Sequence, residues 1–108
     1  MKGDLIRGHL DGLLLASLAI GPTHGYGVIA RMKHTSGGEL DLAEGTVYPA
    51  LHRLEQDGLL SSSAELTQGR QRRVYAVTEA GERALAERRT EWRRFSSLVG
   101  RMLMGATA

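Results

Sequence analysis

Three arginines, Arg70, Arg72 and Arg73, lie within a run of four residues that contains no acidic residue. Cations gathered on a projecting segment repel each other unless an anion lies near, which favours contact with a polyanion such as DNA. Residues 59–66 can run extended, and residues 74–77 have the β-branched and aromatic side chains of a strand. Residues 67–71 are polar and contain a glycine, as hairpin tips do. The pattern therefore predicts a β-hairpin wing whose tip carries the three arginines.

The segment before this hairpin is predicted to be an amphipathic helix. Its apolar residues recur at i, i+3, i+4 and i+7 and form one face: Val47, Ala50, Leu51 and Leu54. Asp41 and Glu44 have the spacing of a capping box at its start. Gly58, which follows Asp57, is expected to end the helix in the left-handed conformation.

This helix and the one before it form a predicted helix-turn-helix, in which the second helix enters the major groove of DNA. Six residues of the second helix are expected at or near the DNA: Gly45, Thr46, Tyr48, Pro49, His52 and Arg53. Gly45 would permit close approach of the backbone, and Pro49 would be tolerated in the first turn, where its missing N–H is not needed. Two alternatives stay open: Tyr48 as an aromatic at the edge of the core, and His52 as a plain surface residue.

The rest of the chain predicts three more helices. The first covers residues 5–20 and is broken by Gly21-Pro22. The second starts at Thr23 or His24 and ends near Lys33, and the last covers residues 78–104 with Thr78 as its N-cap. The fold class is therefore expected to be mainly α with a small β-hairpin wing (α+β), a winged helix-turn-helix with a long C-terminal dimerisation helix. Residues 1–77 would form the DNA-binding domain and residues 78–108 the dimerisation helix, in one compact unit.

The last helix carries an apolar pattern that predicts a homodimer. Five apolar residues are spaced 7, 3, 4 and 3, which resembles the a and d positions of a coiled coil: Leu85, Trp92, Phe95, Val99 and Met102. Arg88 interrupts the pattern at one d position. Pairing with a second copy would cover these side chains and place two recognition helices about one DNA turn apart, which predicts an inverted-repeat operator. The alternative is that the tail folds back on its own domain.

Three blocks of the chain resemble the signature blocks of PadR-type transcriptional regulators, in the family's order and spacing. They are HGYGVIARM (24–32), EGTVYPALHRLEQDGLL (44–60) and GRQRRVYAVTEAG (69–81). The resemblance implies a dimeric winged helix-turn-helix protein, usually a repressor and often released from DNA by a small molecule. One departure is Gly27, where the family often has a larger residue; this glycine either allows close packing or loosens the motif.

The resemblance also implies a possible effector site on the last helix. In some small PadR-like proteins an aromatic residue at the matching place lines a cavity between subunits, where flat organic molecules bind. Trp92 with Phe95 could stack on a small aromatic effector in this way. The alternative is that both side chains only fill the dimer core.

Composition argues against other classes of protein. The 108 residues suit one domain with net charge +2, and the absence of cysteine excludes disulfides and thiol catalysis. The four histidines do not pair at metal-ligand spacing, and no phosphate loop or nucleophile motif occurs, so we expect no enzyme, no metal and no cofactor. Residues 13–20 are too few to span a bilayer and no signal peptide is evident, which predicts a cytoplasmic protein with no membrane partner. A winged-helix module for protein contact remains the rival, although the arginines favour DNA.

Overall fold

The computed structural model describes residues 3–105. In that part of the chain the elements follow in the order α1 (Gly3–Arg7), α2 (Leu10–Ile20), β1 (Thr23–His24), α3 (Gly25–Thr35), α4 (Glu44–Gln56), β2 (Leu60–Thr67), β3 (Arg70–Val77) and α5 (Glu79–Met104). The strands form an antiparallel sheet in the order β1-β3-β2. Helices dominate, with a small β-hairpin and a long C-terminal helix, which confirms the predicted winged helix-turn-helix.

The predicted helix over residues 5–20 is interrupted at Gly8 and His9. The chain makes a turn there, with His9 N donating to Ile6 O at 2.8 Å, and α2 starts afresh at Leu10. A glycine costs roughly 1 kcal/mol in a helix interior relative to alanine, so the break falls where the helix is weakest. The prediction of one continuous helix is therefore wrong, and the turn brings Ile6 into the buried set.

Helix α2 lies at the centre of the core. Its buried leucines, Leu14, Leu15 and Leu18, are at most 2% exposed. α2 packs against α3, α4, β3 and the first half of α5. Burial of such a side chain contributes roughly 1.5–3 kcal/mol, so these leucines stabilise the packing of α2 against its neighbours.

The hairpin between β2 and β3 closes more tightly than predicted. Gln68 and Gly69 form the turn, with φ angles of 52° and 77°. Positive φ at both central residues is typical of a primed two-residue turn, whose twist matches that of the strands. The outer residues of the expected tip, 67, 70 and 71, are paired within the strands. The two-residue strand β1 pairs with Tyr75 and Val74 and was too short to be predicted.

Helix α4 has no side-chain cap, so the predicted capping box is wrong. Its N-cap is Ala43, and α4 begins at Glu44. Asp41 is two residues before the cap, too far back to bond to the first turn, and its Oδ2 lies 3.6 Å from Lys33 Nζ instead. At the other end Gly58 follows the helix with φ of 79°, which confirms the predicted left-handed residue.

Helix α5 starts at the predicted cap. Thr78 Oγ1 accepts a hydrogen bond from Gly81 N at 3.0 Å and donates to Gly58 O at 2.7 Å, so it also ties the helix to the end of α4. The helix then continues for 26 residues to Met104, and the molecule is 56 Å long. None of the helices in residues 3–105 is both long and apolar enough to cross a bilayer.

Candidate nucleic-acid interface

Helix α4 presents one exposed stripe opposite its buried face. The buried residues are the predicted ones, Val47, Ala50, Leu51 and Leu54. The stripe has the spacing 4, 3, 4 of one helical face and is exposed throughout: Gly45, Pro49, His52 and Gln56. Helical geometry puts Thr46 and Arg53 on one flank of this stripe and Tyr48 on the other. The structure thus places the six α4 residues predicted for DNA outside the buried face.

Pro49 lies deeper in α4 than the sequence suggested. Since the helix begins at Glu44, Pro49 is in its second turn and not its first. A helical N–H bonds to the carbonyl four residues earlier, so a proline at this position leaves the Gly45 carbonyl without its donor. No heavy atom comes within 4 Å of the place where a Gly45 Cβ would be. The expected reason for tolerating Pro49 is wrong, and the result is a Gly45 carbonyl that has no helical N–H donor near the start of α4.

Tyr48 connects α4 to the start of α3. A Cβ on Gly25 would clash with its ring, so the missing side chain at Gly25 makes room for it. The ring of Tyr26 packs edge-on against that of Tyr48, with the centroids 6.3 Å apart. The Tyr48 ring therefore packs at the edge of the core. Burial, and after it the charge of Glu44, raises the pKa of Tyr48, so its hydroxyl stays protonated and can donate.

The three arginines of the wing lie on β3 and not at the hairpin tip. The tip consists of Gln68 and Gly69, and Arg70 is already paired across the strands. Since side chains alternate along a strand, Arg70 and Arg72 share one face and Arg73 is on the other. The predicted position of the arginines at the tip is therefore wrong. The turn takes up only two residues, so all three arginines pair with β2 instead.

His24 forms the N-cap of α3 and lies beside the wing. Its Nδ1 accepts a hydrogen bond from Gly27 N at 3.1 Å. The neutral ring must then carry its proton on Nε2, which cannot accept from Arg72 Nη1 3.4 Å away. Burial, and after it the charge of Arg72, lowers the pKa of His24. The contact with His24 therefore leaves the donors of Arg72 available to another acceptor.

Arg73 is held differently from Arg72. Its Nη1 donates to Ser62 Oγ at 3.0 Å, and the Ser62 hydroxyl in turn donates to the carboxylate of Glu55 on α4. This chain of hydrogen bonds joins the wing to the C-terminal half of α4. Arg73 therefore has a structural role that its place in the arginine run did not indicate.

A cavity of about 440 Å³ lies between α4, the start of α3 and the wing. Its lining residues are His24, Gly25, Tyr26, Tyr48, His52, Arg70, Gln71, Arg72, Arg73 and Tyr75. It brings together five of the nine predicted DNA-binding residues: Tyr48, His52, Arg70, Arg72 and Arg73. The lining contains arginine, histidine and tyrosine donors and no carboxylate, so the cavity suits an anionic backbone. Gly45, Thr46, Pro49 and Arg53 are not part of the lining.

Arg53 is part of an ion pair on the flank of α4 opposite Tyr48. Its Nη2 forms an ion pair with Asp11 Oδ1 in the first turn of α2. Arg31 on α3 donates at 2.7 Å to Ser17 O and to Gly21 O. Arg31 thus satisfies carbonyls at the end of α2, which is a structural role.

Tyr26 was missed as part of this region. It is 56% exposed, and a hydrogen bond to Glu44, followed by the charge of that carboxylate, raises its pKa. Its place two residues after the His24 cap was the available signal. Gly27 next to it supports close packing, since a Cβ there would clash with the Thr23 hydroxyl.

The C-terminal helix divides into two halves. Leu85 is 4% exposed and belongs to the chain's own core, so its prediction as an interface residue is wrong. Further along, Val99 is half-buried and three predicted residues are exposed: Trp92 at 54%, Phe95 at 55% and Met102 at 78%. Leu98 and Leu103 are exposed as well and were not predicted. Within residues 3–105, the outer half of α5 thus leaves an apolar face exposed.

Trp92 contacts the turn between α1 and α2. Its ring meets that of His9 edge-on with the centroids 5.4 Å apart, and Phe95 is 6.3 Å from it. Among the residues that the structure describes, no group of three or more histidine, aspartate or glutamate side chains is arranged to hold a metal ion.

Residues 14–87 match the family described as transcriptional regulator PadR-like. The structure of a PadR family transcriptional regulator from Eggerthella lenta is similar over 93% of this chain and 86% of that one, with a TM-score of 0.80 and 32% identity. The structure of a transcriptional regulator from Clostridium thermocellum is similar over 94% of this chain and 99% of that one, with a TM-score of 0.87 and 25% identity. Transcriptional regulator Rv3488 of Mycobacterium tuberculosis is 56% identical over 48 residues. That match covers 44% of this chain and 45% of the mycobacterial protein.

Proposed function

The chain belongs to the PadR-like family of transcriptional regulators, and we propose that it acts as a homodimeric repressor at an inverted-repeat operator. Membership makes the protein a DNA-binding regulator and not an enzyme. The proposal also implies that the protein works in the cytoplasm, beside the DNA that it regulates.

The observation that carries the proposal is the cationic cavity between α4 and the wing. Three arginines of β3 line it without an opposing carboxylate in the lining. In helix-turn-helix proteins the second helix enters the major groove, and here that helix is α4. The exposed stripe of α4 would then face the base edges, while the wing faces the flanking sugar–phosphate backbone.

The proposal gives each residue of the interface a role. The backbone at Gly45 and the side chains of Pro49 and His52 approach the base edges, because they lie on the exposed stripe. Hydroxyl donors contact phosphates on either flank of α4: Thr46 and Tyr48. Cationic side chains supply affinity that does not depend on sequence: Arg53, Arg70, Arg72 and Arg73.

Two copies are proposed to meet through α5. Exposed aromatic and aliphatic side chains of the outer half of α5 are costly to leave in water, and a second copy can cover them. Residues 1–77 would then serve as the DNA-binding part and residues 78–108 as the dimerisation helix. The interface residues would be Trp92, Phe95, Val99 and Met102, together with the unpredicted Leu98 and Leu103.

A small aromatic effector is proposed to bind near Trp92. Trp92 and Phe95 offer two adjacent ring faces, and Gly100 has no heavy atom within 4 Å of its Cβ position. If the subunits enclose this region, a flat molecule could stack there and change the separation of the two α4 helices. We expect such compounds to quench Trp92 fluorescence at micromolar levels and to weaken DNA binding. A full response in Trp92→Ala would remove Trp92 from the effector site.

The direct test is binding to the DNA upstream of the chain's own coding region. We expect a saturable complex whose log K falls linearly with log salt, as phosphate contacts require. The same complex should exclude a transcribing polymerase in a run-off assay. Equal affinity for this region and for unrelated duplex would contradict operator binding, and loss of all duplex binding at low salt would contradict DNA binding altogether.

A further inference from the structure

We propose that an ion pair with Asp11 on α2 determines whether Arg53 can bind a DNA phosphate. Arg88 on α5 competes with Arg53 for the Asp11 carboxylate and so shifts this balance. The inference rests on the proposed DNA binding by α4. It adds two positioning residues, Asp11 and Arg88, that lie outside the cavity and outside the exposed stripe.

One carboxylate serves two arginines from different helices. Asp11 Oδ1 pairs with Arg53 Nη2 from α4, and Asp11 Oδ2 lies 3.9 Å from Arg88 Nη2 from α5. The Arg53 contact is within hydrogen-bond distance, whereas the Arg88 contact is longer than a hydrogen bond allows. The structure thus has the carboxylate committed to α4, with a second cation close enough to compete for it.

The position of Arg53 explains why this matters for DNA. Arg53 lies on the flank of α4 opposite Tyr48 and the wing, together with Thr46. A helix in the major groove has a sugar–phosphate strand on each side, so the wing arginines serve one strand and Arg53 is the α4 cation nearest to the other. An arginine paired with a carboxylate carries no net charge to a phosphate. Arg53 can therefore bind a phosphate only after its ion pair with Asp11 breaks.

Arg88 connects this choice to the C-terminal helix. Its Nη1 donates to Gly8 O at 3.3 Å, and its Cβ lies 3.6 Å from the Cβ position of Gly12. Arg88 therefore sits on the turn between α1 and α2, next to Asp11. A shift of α5 by about 1 Å along α2 would bring Arg88 Nη2 to hydrogen-bond distance of Asp11, because such bonds measure about 2.9 Å. Asp11 would then favour Arg88 and release Arg53.

The expected effects are small but measurable. The side chains of Asp11, Arg53 and Arg88 are 28%, 49% and 41% exposed, so each pair is screened by solvent. Formation of an exposed ion pair changes an equilibrium constant by only roughly 1.4- to 5-fold. Asp11 can therefore exchange easily between the two arginines. Movements of α5, whether from dimer formation or from a ligand near Trp92, could therefore shift the balance.

The test uses the full-length protein and a fixed duplex over a range of salt concentrations. Asp11→Asn should bind unrelated duplex roughly 1.4- to 5-fold more tightly at low salt. Its slope of log K against log salt should steepen by about 0.9 for each subunit that gains a phosphate contact. Arg88→Gln removes the competing charge, so its slope should be shallower than that of the wild type.

Two controls separate this mechanism from general effects. Glu87→Gln removes one negative charge from the exposed side of α5 and should leave the slope unchanged. In Asp11→Asn/Arg53→Gln the steeper slope should disappear, because the released cation is gone. Thermal unfolding of each variant reports whether folding has changed.

The outcomes are distinct. An unchanged slope in Asp11→Asn, or the same steeper slope in the double variant, would overturn the role of Asp11. An equal or steeper slope in Arg88→Gln would overturn the role of Arg88. Absence of any duplex binding by the wild type would instead overturn the proposed function, and this inference with it.

Discussion

The side chains around the cavity beside α4 and those on the outer half of α5 differ in whether they have partners within their own chain. Around the cavity, side chains have partners within their own chain, such as the His24 cap and the Arg73–Ser62 hydrogen bond. Along the outer half of α5, Trp92, Phe95 and Met102 are more than half exposed. One chain thus builds the proposed DNA surface by itself, whereas no part of the chain that the structure describes covers the apolar face of α5.

This difference separates two kinds of variant. Changes around the cavity should alter DNA binding or the stability of one chain without changing how many chains associate. Changes on the outer half of α5 should alter association first and DNA binding only as a consequence. Four changes in the chain or its solution test that separation, from the largest expected effect to the smallest.

Phe95→Asp should have the largest effect. Full burial of such a side chain contributes roughly 1.5–3 kcal/mol, and Phe95 is 55% exposed in the single chain. Two copies in a symmetric dimer therefore lose roughly 1.7–3.3 kcal/mol, and the dimer dissociation constant should rise at least about tenfold. Sedimentation velocity over a concentration series measures it. Leu66→Asp is the matched control, because Leu66 is 73% exposed on the wing and far from α5. Equal association of Phe95→Asp and wild type would show that α5 is not the interface.

Gly25→Ala should destabilise the single chain. The added methyl would clash with the Tyr48 ring, and overpacking of this kind costs about 1–3 kcal/mol. Gly45→Ala is the comparison, since its Cβ has open space and alanine favours a helix by up to about 1 kcal/mol. Urea denaturation should therefore rank Gly45→Ala at or above wild type and Gly25→Ala below it. The reverse order would contradict the packing of Tyr48 against α3.

Arg72→Ala should weaken binding to every DNA sequence. The variant loses a cation whose donors the His24 ring does not accept, so the slope of log K against log salt should become shallower by about 0.9 for each subunit. Arg73→Ala should change the slope less, because Arg73 is bound to Ser62. Identical slopes for wild type and Arg72→Ala would remove the wing from the interface, while their oligomeric state should stay the same.

Acid should destabilise the chain through His24. Its pKa is lowered from 6.5 by burial and by Arg72, so the unfolded chain takes up a proton first as the pH falls. The stability conferred by the neutral cap is thus fully present above pH 6.5 and decreases below it, towards the lower folded pKa. His24→Asn keeps a capping acceptor but cannot titrate. The difference in unfolding free energy between wild type and His24→Asn should therefore change between pH 7 and pH 5; a constant difference would contradict the assigned role of His24.

Much of the fold could be predicted from periodicity and turn residues. The apolar face of α4, the Thr78 cap and the left-handed Gly58 depend on neighbours close in sequence, and the structure confirms all three. The predictions that were wrong depend on contacts between residues far apart in sequence or on the exact position of a turn. Leu85 has the spacing of a seam residue, yet its place beside α2 decides its burial.

The site was predictable in its elements and less so in its contacts. The three arginines were placed at the tip, because no sequence rule fixed the turn at two residues. The partner of Arg53 is 42 residues away along the chain, and the two partners of Arg31 are 14 and 10 residues away, which local spacing cannot indicate. The partners of long arginine side chains are determined by which groups lie within reach once the helices have packed.

The central claim is that α4 and the wing of two associated chains bind one duplex. Hydroxyl-radical footprinting of the wild type on its upstream DNA tests this most directly. We predict two related protected patches whose centres are about one helical turn, 10–10.5 base pairs, apart, with flanking backbone protection that fades in Arg72→Ala. A single asymmetric patch, or protection that Arg72→Ala leaves intact, would contradict the account.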